Sequence, residues 1–475
     1  MILLILTITI VMMMICDSNR RIAIIGGGIS GLSCAKRLVD LGNNNVVVFD
    51  TGKNSVGGRC SSRNINGIVF DHSSQYMTID TNSDFKRELK QYIDQNLIKQ
   101  WNGKIVKLNS NNEIEPMIDK DNTHRYVGSN GMMGVSQALS TGLTIRRPVW
   151  VSKLHKQQNN KWKLMQFNED LGEFDVVVIA HNGKCADRLI STTPNSLIHS
   201  RLKVLFGPVL PKPDRMTKMQ LCSLFVGTFA VKKGVIVGMP GDAIIVNNSL
   251  PLSWICCTSK KIGQQHSEYE SYTVISTREF AAANKVPQES IPKDKEIEVK
   301  NVLLRAFESA LGLESQSIVP ILYNIQLWGA GVPLNVYSSP FVMDSRSNIA
   351  ICGDWMASSE HTTGPNIETA FMSGFKLANE LIKTELTDVG LGATDCYQAL
   401  QTHPIGDIVP STTTRNTIIR GPPLNSIVNS QTSNNSTNSN NNNNNNRNRN
   451  NNNRNRNNDN NRNRNKNSDI KSKVP

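Results

Sequence analysis

The sequence lacks the residue patterns of a metal centre, a disulfide framework and a nucleophile-based active site. It has only 9 cysteines in 475 residues. None of them forms a CxxC pair, which argues against a cysteine-ligated metal and against a disulfide scaffold. No Ser/His/Asp constellation and no pair of carboxylates stands out along the chain. Beyond residues 1–16, no run is long and apolar enough to cross a membrane. We therefore expect no bound metal and no membrane span other than a signal anchor.

The first sixteen residues, Met1–Cys16, are apolar except for two threonines. A helix of this length spans roughly 24 Å, which is less than the roughly 30 Å of hydrocarbon in a bilayer. Residues 1–16 are therefore predicted to be a signal peptide or a signal anchor. If they act as a signal, the protein is in the secretory pathway or extracellular; otherwise it is cytoplasmic.

Most of the excess positive charge lies near the end of the chain. The net charge is +13, but residues 401–475 alone carry 11 Lys and Arg against 3 Asp and Glu. The segment 400–475 is rich in Asn and Arg and has little apolar surface to bury, so we predict that it is disordered. Its arginines are candidates for contact with RNA or an acidic surface, although a low-complexity expansion without a role is more common. The mildly basic body predicts no DNA binding.

The body itself, with 38% hydrophobic residues over the whole chain, has enough apolar material for a folded core. Near its start, Arg21–Ile25 is a short run rich in β-branched residues, which predicts a buried strand. Residues 32–41 carry the apolar stripe of a helix, and Val46–Phe49 predicts a second buried strand. Together these three segments form one βαβ unit.

A glycine fingerprint lies between the first strand and the helix of this unit. Gly26, Gly28 and Gly31 have the spacing GxGxxG. In a dinucleotide site, the first glycine makes the tight turn, the second admits a pyrophosphate, and the third lets helix and strand pack closely. Asp50 ends the second strand and is placed to accept hydrogen bonds from a ribose diol. The sequence therefore predicts a dinucleotide site.

Two further motifs favour FAD over NAD. Gly57-Gly58-Arg59 follows the second strand, and its arginine can pair with a phosphate. Gly353-Asp354 follows a buried strand at the other end of the chain, where the aspartate can bind the ribitol chain of a flavin.

A helix predicted from Asn366 to about Lys383 follows the second of these motifs. Its N-terminus, at Asn366 and Ile367, can stabilise negative charge on a reduced flavin. An FAD spanning a discontinuous domain accounts for all of these motifs together.

These motifs resemble those of the flavin-containing amine oxidase superfamily. The segments that carry the resemblance are IAIIGGGISGLSCAKRL, VVVFD…GGR, FDHSSQY, FDVVVIAHN and ICGDW…GPNIETAFMSG. Within that superfamily, residues 20–385 are most similar to renalase and renalase-like oxidoreductases. The resemblance implies an α/β fold in which a discontinuous Rossmann-like FAD-binding domain carries an inserted substrate domain with a mixed or antiparallel sheet. It also adds Gln75 and Val149 to the residues expected to bind the cofactor.

The chain is accordingly divided into four predicted parts. They are a leader at 1–16; an FAD-binding domain at 20–75, 126–185 and 345–385; a substrate domain at 76–125 and 190–340; and a disordered tail at 400–475.

Some residues near the expected flavin depart from the family pattern. Ser73 and Ser74 stand where Gly and Ala or Pro are usual, and Thr369 replaces a Gly. The active-site lysine of the amine oxidases has only Lys260 and Lys261 as candidates. The Ser-Gly-Gly-Cys of covalent flavin attachment is absent, so the FAD is expected to be noncovalent.

His361 and Trp328 are candidates for contact with the substrate, and His72, beside the Gln75 segment, is another. In each case a hydrogen-bonded structural residue is the alternative interpretation.

The function expected from the resemblance is that of an FAD-dependent oxidase. A small substrate, expected to be an isomeric NAD(P)H, would give a hydride to the flavin, and O2 would reoxidise the flavin to yield hydrogen peroxide. An amine or polyamine oxidase is the alternative enzyme. A catalytically silent flavin-binding module with an RNA-interacting tail is the alternative from another class.

Overall fold

The structure is a computed structural model. It describes residues 20–118, 122–193, 196–209, 217–264, 268–357 and 365–400, together with two short strands at 404–405 and 409–410. The predicted leader 1–16 and almost all of the predicted tail lie outside these residues. The strands, in chain order, are β1 (Ile22–Ile25), β2 (Val46–Phe49), β3 (Ser62–Ile65), β4 (Ile68–Asp71), β5 (Met77–Asp80), β6 (Ile98–Gln100), β7 (Ile105–Leu108), β8 (Ile114–Pro116), β9 (Thr123–Gly128), β10 (Thr144–Arg146), β11 (Lys153–Lys156), β12 (Trp162–Gln166), β13 (Glu169–Phe174), β14 (Val176–Ile179), β15 (Val204–Phe206), β16 (Met219–Lys232), β17 (Ala243–Val246), β18 (Leu252–Cys257), β19 (Tyr269–Ser276), β20 (Leu322–Pro333), β21 (Asn335–Tyr337), β22 (Val342–Asp344), β23 (Ile349–Ile351), β24 (Tyr397–Ala399), β25 (Pro404–Ile405) and β26 (Val409–Pro410).

Nine helices lie within the described residues. They are α1 (Ile29–Asp40), α2 (Asp84–Asp94), α3 (Met133–Ser140), α4 (Gly183–Ile190), α5 (Ser196–Leu202), α6 (Thr258–Ile262), α7 (Arg278–Ala283), α8 (Lys293–Ala310) and α9 (Ile367–Leu381). No helix among the described residues is both long enough and apolar enough to cross a bilayer.

The first large sheet has the Rossmann-like arrangement that the βαβ unit predicts. Its strand order is β10-β2-β1-β14-β23-β22; the first five strands are parallel, and β22 is antiparallel to β23. Both faces are buried, because alternate residues of each strand enter different cores. α1 and α9 cover one face, while the small sheet β11-β12-β13 and the helices α4 and α5 cover the other.

Helices α1 and α9 cross at very close range. A Cβ added at Gly374 would lie 2.0 Å from the carbonyl oxygen of Ser30. Ser33 Oγ donates a hydrogen bond of 2.8 Å to the carbonyl oxygen of Phe371 at the same crossing. Small side chains at 30, 33 and 374 therefore let the two helix backbones approach, which fixes the start of α9 relative to the glycine fingerprint.

The second large sheet is mixed, and its strands come from two separate stretches of the chain. Its order is β15-β16-β19-β18-β17-β7-β8, and β20 also pairs with β16. β7 pairs with β17 in parallel and β15 with β16 in parallel, while the other pairs are antiparallel. α8 packs on one face through Phe307, whose ring meets Phe229 at 5.1 Å. The predicted fold class is confirmed, while the predicted domain boundaries stay predictions.

Two local features complete the description of the strands. The apolar run at 174–180 is not one strand, because Phe174 ends β13 and Val176 begins β14. Between them, the Asp175 carboxylate accepts a hydrogen bond of 2.7 Å from the Arg21 amide, next to the start of β1. Beyond Gly390, β24 pairs with β21, and the buried Tyr397 ring stacks on Trp355.

Candidate cofactor and active site

The glycine fingerprint adopts the geometry that a dinucleotide needs. Gly26 has φ +117, a conformation that favours glycine, and a Cβ at Gly31 would lie 2.0 Å from the Gly26 carbonyl oxygen. A Cβ at Gly28 would meet nothing within 4 Å. Gly28 is the N-cap residue of α1 and, having no side chain, makes no side-chain capping hydrogen bond. Backbone conformation requires a glycine at 26, and close packing requires one at 31. Gly28, by contrast, borders open space at a helix N-terminus that attracts anions.

Asp50 directly follows β2 and contacts the glycine loop. Its carboxylate accepts hydrogen bonds of 2.8 Å from the Gly27 amide and 2.7 Å from the Gly52 amide. A Cβ at Gly27 would lie 2.9 Å from that carboxylate. Val149 follows on, and its amide donates a 2.8 Å hydrogen bond to the Asp50 carbonyl oxygen. The acidic residue expected at the ribose therefore also holds the glycine loop in place.

The second glycine motif lies directly against the first. The Gly57 amide donates a hydrogen bond of 2.7 Å to the Gly27 carbonyl oxygen. Gly57 has φ +115, and a Cβ there would lie 2.4 Å from the Cys60 carbonyl oxygen. A Cβ at Gly58 would lie 3.7 Å from the Gly28 Cα. The two motifs therefore form one continuous backbone wall.

Arg59 and Asp354 form an ion pair with each other. Arg59 Nη1 lies 2.7 Å from Asp354 Oδ2, and Nη2 lies 2.8 Å from Oδ1. Arg59 Nη1 also donates to the carbonyl oxygen of Gly331 in β20. The structure joins these two predicted cofactor-binding side chains to each other, and the Gly331 contact links the turn after β23 to the second large sheet.

The turn after β23 leads into the start of α9. A Cβ at Gly353 would lie 2.5 Å from Trp355 Nε1. Asn366 caps α9, since its Oδ1 accepts a 2.7 Å hydrogen bond from the Thr369 amide. Asn366 and Ile367 line the same space as the glycine loop, so α9 presents its positive end to it, as α1 does.

These elements enclose a single cavity of 1020 Å³. Small-molecule pockets usually occupy about 300–1,000 Å³, so this one is large enough for a dinucleotide. The cavity walls contain nearly all of the residues that the sequence assigns to the cofactor, namely Gly26, Gly28, Asp50, Gly57, Gly58, Arg59, Val149, Gly353, Asp354, Asn366 and Ile367. Gly31 lies behind the wall, where it packs α1 on β1. Among the described residues, no cluster of His, Cys, Asp or Glu could hold a metal ion.

Gln75 does not line this cavity. Its side-chain amide is buried, donates to the carbonyl oxygens of Asp71 and Ser73, and accepts from Trp254 Nε1 at 3.2 Å. Its neighbour Ser74 does reach the cavity wall. The structure therefore places Gln75 one layer behind the wall.

Lys261 belongs to the same buried layer. Its ammonium lies 2.8 Å from Asp71 Oδ2, with both side chains 0% exposed, and it donates a 2.7 Å hydrogen bond to the Gln75 carbonyl oxygen. Lys260 is exposed. Neither lysine lines the cavity, so the structure gives neither candidate a place beside a bound cofactor.

Trp328 lines the cavity from β20. Its Nε1 donates a 2.8 Å hydrogen bond to the His72 carbonyl oxygen, and its ring stacks on the His72 imidazole at 5.7 Å. Burial, with a further contribution from Arg63, lowers the pKa of His72 to about 4. His72 is therefore a neutral ring behind Trp328. His361, the other candidate for substrate contact, lies outside the described residues.

Sequence reasoning missed the wall formed after β14. His181 and Asn182 line the cavity, and His181 Nδ1 lies 3.1 Å from the Ile25 carbonyl oxygen. Burial lowers the pKa of His181. Their position at the carboxyl end of a central parallel strand is the signal that could have found them.

Two polar groups of the cavity wall have no hydrogen-bond partner among the described residues. They are Asn182 Nδ2 and Trp355 Nε1. Both atoms are buried, and Trp355 Nε1 lies beneath Gly353, where a Cβ would be 2.5 Å from it.

Comparison with known proteins agrees with this geometry. Residues 24–95 match the model of the NAD(P)-binding Rossmann-like domain. A putative protoporphyrinogen oxidase from Exiguobacterium sp. 255-15 superposes with TM-score 0.55 at 10% identity, over 76% of this chain and 98% of the other. The cyclohexylamine oxidase from Brevibacterium oxydans IH-35A gives 0.51 at 11%, over 77% and 99%. This chain has the fold of those oxidases.

The same fold also occurs outside the oxidases. A reduced UDP-galactopyranose mutase superposes with TM-score 0.51 at 12% identity, over 76% of this chain and 93% of the other. Because oxidases and a mutase share the architecture, the fold supports a Rossmann-like nucleotide site while the reaction must be argued from the site itself.

Proposed function

We propose that the cavity binds FAD noncovalently and that the protein is an oxidoreductase in which a small substrate gives a hydride to that cofactor. The observation that carries the proposal is the continuous glycine wall. Gly28 and Gly58 face each other there, and α1 and α9 both open into one 1020 Å³ cavity. Two helix N-termini in one cavity suit a ligand with negative charge at two places.

The residues fit the parts of FAD in a consistent order. The Gly26–Gly31 loop and the start of α1 would hold the pyrophosphate, Asp50 and Val149 the adenosine, and the Arg59–Asp354 pair the ribitol. When bound, FAD supplies hydride acceptance at its flavin ring and passes the electrons to O2, giving hydrogen peroxide.

Neither of the two cysteines next to the cofactor motifs suits covalent attachment to a flavin. Cys60 and Cys352 lie beside the two motifs, and both are buried. Burial raises the pKa of Cys352 to about 12, so its thiol is protonated at neutral pH. The Cys60 thiol contacts the carbonyl oxygen of Met132 at 3.4 Å. These contacts support a noncovalent cofactor.

The substrate that we propose is an isomer of reduced NAD(P)H. The resemblance to renalase-like oxidoreductases supports it, and so does a cavity that extends from the glycine wall to Trp328 and beyond. In this proposal Trp328, held by His72, forms the face against which a flat ring would lie. The protein's own contribution is to orient the ring and exclude water, so no acid–base pair is needed.

The test is anaerobic reduction of the purified flavin-loaded chain. Mixtures containing NAD(P)H isomers should remove the visible absorbance of the flavin, whereas a panel of amines should leave it unchanged. Reduction by an amine alone would make the protein an amine oxidase. Failure of the protein to bind flavin would contradict the proposal that the cavity holds FAD.

A further inference from the structure

Three basic side chains lie at the outer end of the cavity. Lys184 and Arg188 come from α4, and Lys285 comes from the turn after α7. All three are exposed and line the cavity. We refer to Lys184, Arg188 and Lys285 as the basic mouth.

The fold holds the two sides of the basic mouth at fixed positions. A Cβ at Gly183, the first residue of α4, would lie 2.8 Å from Ala330 Cβ in β20. On the other side, Gln288 Oε1 accepts a 2.9 Å hydrogen bond from the Gly329 amide. Both sides are therefore fixed to neighbouring residues of β20, next to Trp328.

Acidic side chains do not neutralise the basic mouth within the part of the chain that the structure describes. No described carboxylate lies within ion-pair distance of its three cations. Asp187 is engaged by His199 Nε2 at 2.7 Å, and Asp50 and Asp354 are engaged as described above. Glu289 is the remaining carboxylate of the cavity wall. The mouth thus carries more positive than negative charge.

Apolar groups accompany these charges. The Lys285 ammonium lies 4.3 Å from the centre of the Phe206 ring, which is 39% exposed. Partial burial, together with the charge of Lys184, lowers the pKa of Lys285. A bound anion stabilises like charges that are held close together. Because an exposed aromatic ring lies beside them, a ligand with both a phosphate and a flat ring would match the charges and the ring.

We propose that the basic mouth binds the phosphate groups of a nucleotide substrate and so selects phosphorylated over uncharged or cationic substrates. This proposal rests on the proposed function, because it assumes that FAD fills the glycine wall and leaves the mouth free. The buried glycine wall already provides for the cofactor's phosphates, whereas the mouth lies at the exposed end where a substrate would enter.

The experiment uses the full, flavin-loaded protein with ADP and adenosine as non-reacting probes, followed by the change in flavin absorbance. Wild type should bind ADP at least tenfold more tightly than adenosine, and added salt should weaken ADP binding. The variant K184Q/R188Q/K285Q should lose at least tenfold in ADP affinity, keep its adenosine affinity, and show a smaller salt dependence. Its flavin content should equal that of wild type.

The matched control removes the same charge elsewhere. Lys104, Lys232 and Lys233 are exposed and do not line the cavity, so K104Q/K232Q/K233Q should bind ADP within twofold of wild type. Equal loss in both variants would show a general charge effect and overturn the proposal. So would an unchanged ADP affinity, a wild type that does not bind ADP, or tighter binding of an oligouridine than of ADP.

The outcome is separable from that of the proposed reaction. Loss of flavin from K184Q/R188Q/K285Q would assign the mouth to the cofactor instead. ADP binding requires no hydride transfer, so the mouth can bind phosphate even if NAD(P)H isomers fail to reduce the flavin.

Discussion

At Gly28, a substitution can test cofactor binding without disturbing the packing of the protein. Its φ of −77 suits any residue, and a Cβ there meets no other atom within 4 Å. A valine should therefore leave the fold intact while its side chain occupies the space that a pyrophosphate needs. We expect Gly28→Val to weaken FAD binding at least tenfold, or about 1.4 kcal/mol, with an unchanged thermal midpoint; flavin titration and thermal unfolding of the cofactor-free protein measure both.

Gly31→Ala provides the contrast. Its Cβ would overlap the Gly26 carbonyl oxygen at 2.0 Å, so this variant should lose stability as well as flavin. If Gly28→Val lowered stability as much as Gly31→Ala does, the open space at Gly28 would not be a ligand position.

The buried pair of Lys261 and Asp71 concerns stability. Lys261→Met leaves the Asp71 carboxylate without its cation in a fully buried site. Breaking one partner of such a pair costs about 3–5 kcal/mol, which denaturant unfolding of the cofactor-free protein should show. The adjacent exposed Lys260 is the matched control, and Lys260→Met should change stability by less than about 0.5 kcal/mol. Equal stability of the two variants would mean that the pair contributes nothing.

His72 should make the protein less stable in mild acid. Its folded pKa of about 4 lies below the ordinary value of 6.5, so the unfolded chain takes up the proton first. Stability from this group is present above pH 6.5 and is lost as the pH falls towards 4, by up to about 3 kcal/mol. The pH dependence of denaturant unfolding should flatten in His72→Gln but not in His155→Gln, an exposed histidine. A parallel loss in all three proteins would contradict this assignment.

Among the elements, the crossing of α1 and α9 leaves no room for a side chain at Gly374. Alanine in place of a helical glycine normally stabilises a protein by about 1 kcal/mol. At Gly374 the sign should reverse, because the new Cβ would lie 2.0 Å from the Ser30 carbonyl oxygen. Gly374→Ala should therefore unfold at lower denaturant concentration than wild type. A more stable variant would show that the helices can separate without cost.

Local elements were predictable from the sequence where their signals are local. Val46–Phe49 was predicted to the residue, and α9 begins at Ile367 after its Asn366 cap, because a buried strand and a capped helix depend on adjacent residues. The side chain of Gln75 turns away from the cavity for a different reason. Its partners Trp254 and Lys261 come from β18 and α6, and no pattern near Gln75 indicates them.

At the scale of the whole molecule, the candidate site is assembled from segments far apart in the chain. The glycine wall comes from residues 26–59, the α9 end from 353–370, and the basic mouth from Lys184, Arg188 and Lys285. The motifs of the first two could be found because each has its own glycine signature. The basic mouth has no such signature. In the sequence its two lysines and its arginine resemble ordinary surface charges, and only the packing of both sides against β20 places them at one cavity.

The central claim is tested most directly by anaerobic mixing of the flavin-loaded protein with NADH that contains its isomers, and with isomer-free NADH. The flavin absorbance should be lost with the isomers at a rate far above that with isomer-free NADH, and hydrogen peroxide should appear when O2 is admitted. A bound flavin that the isomers leave oxidised, while an amine reduces it, would contradict the account.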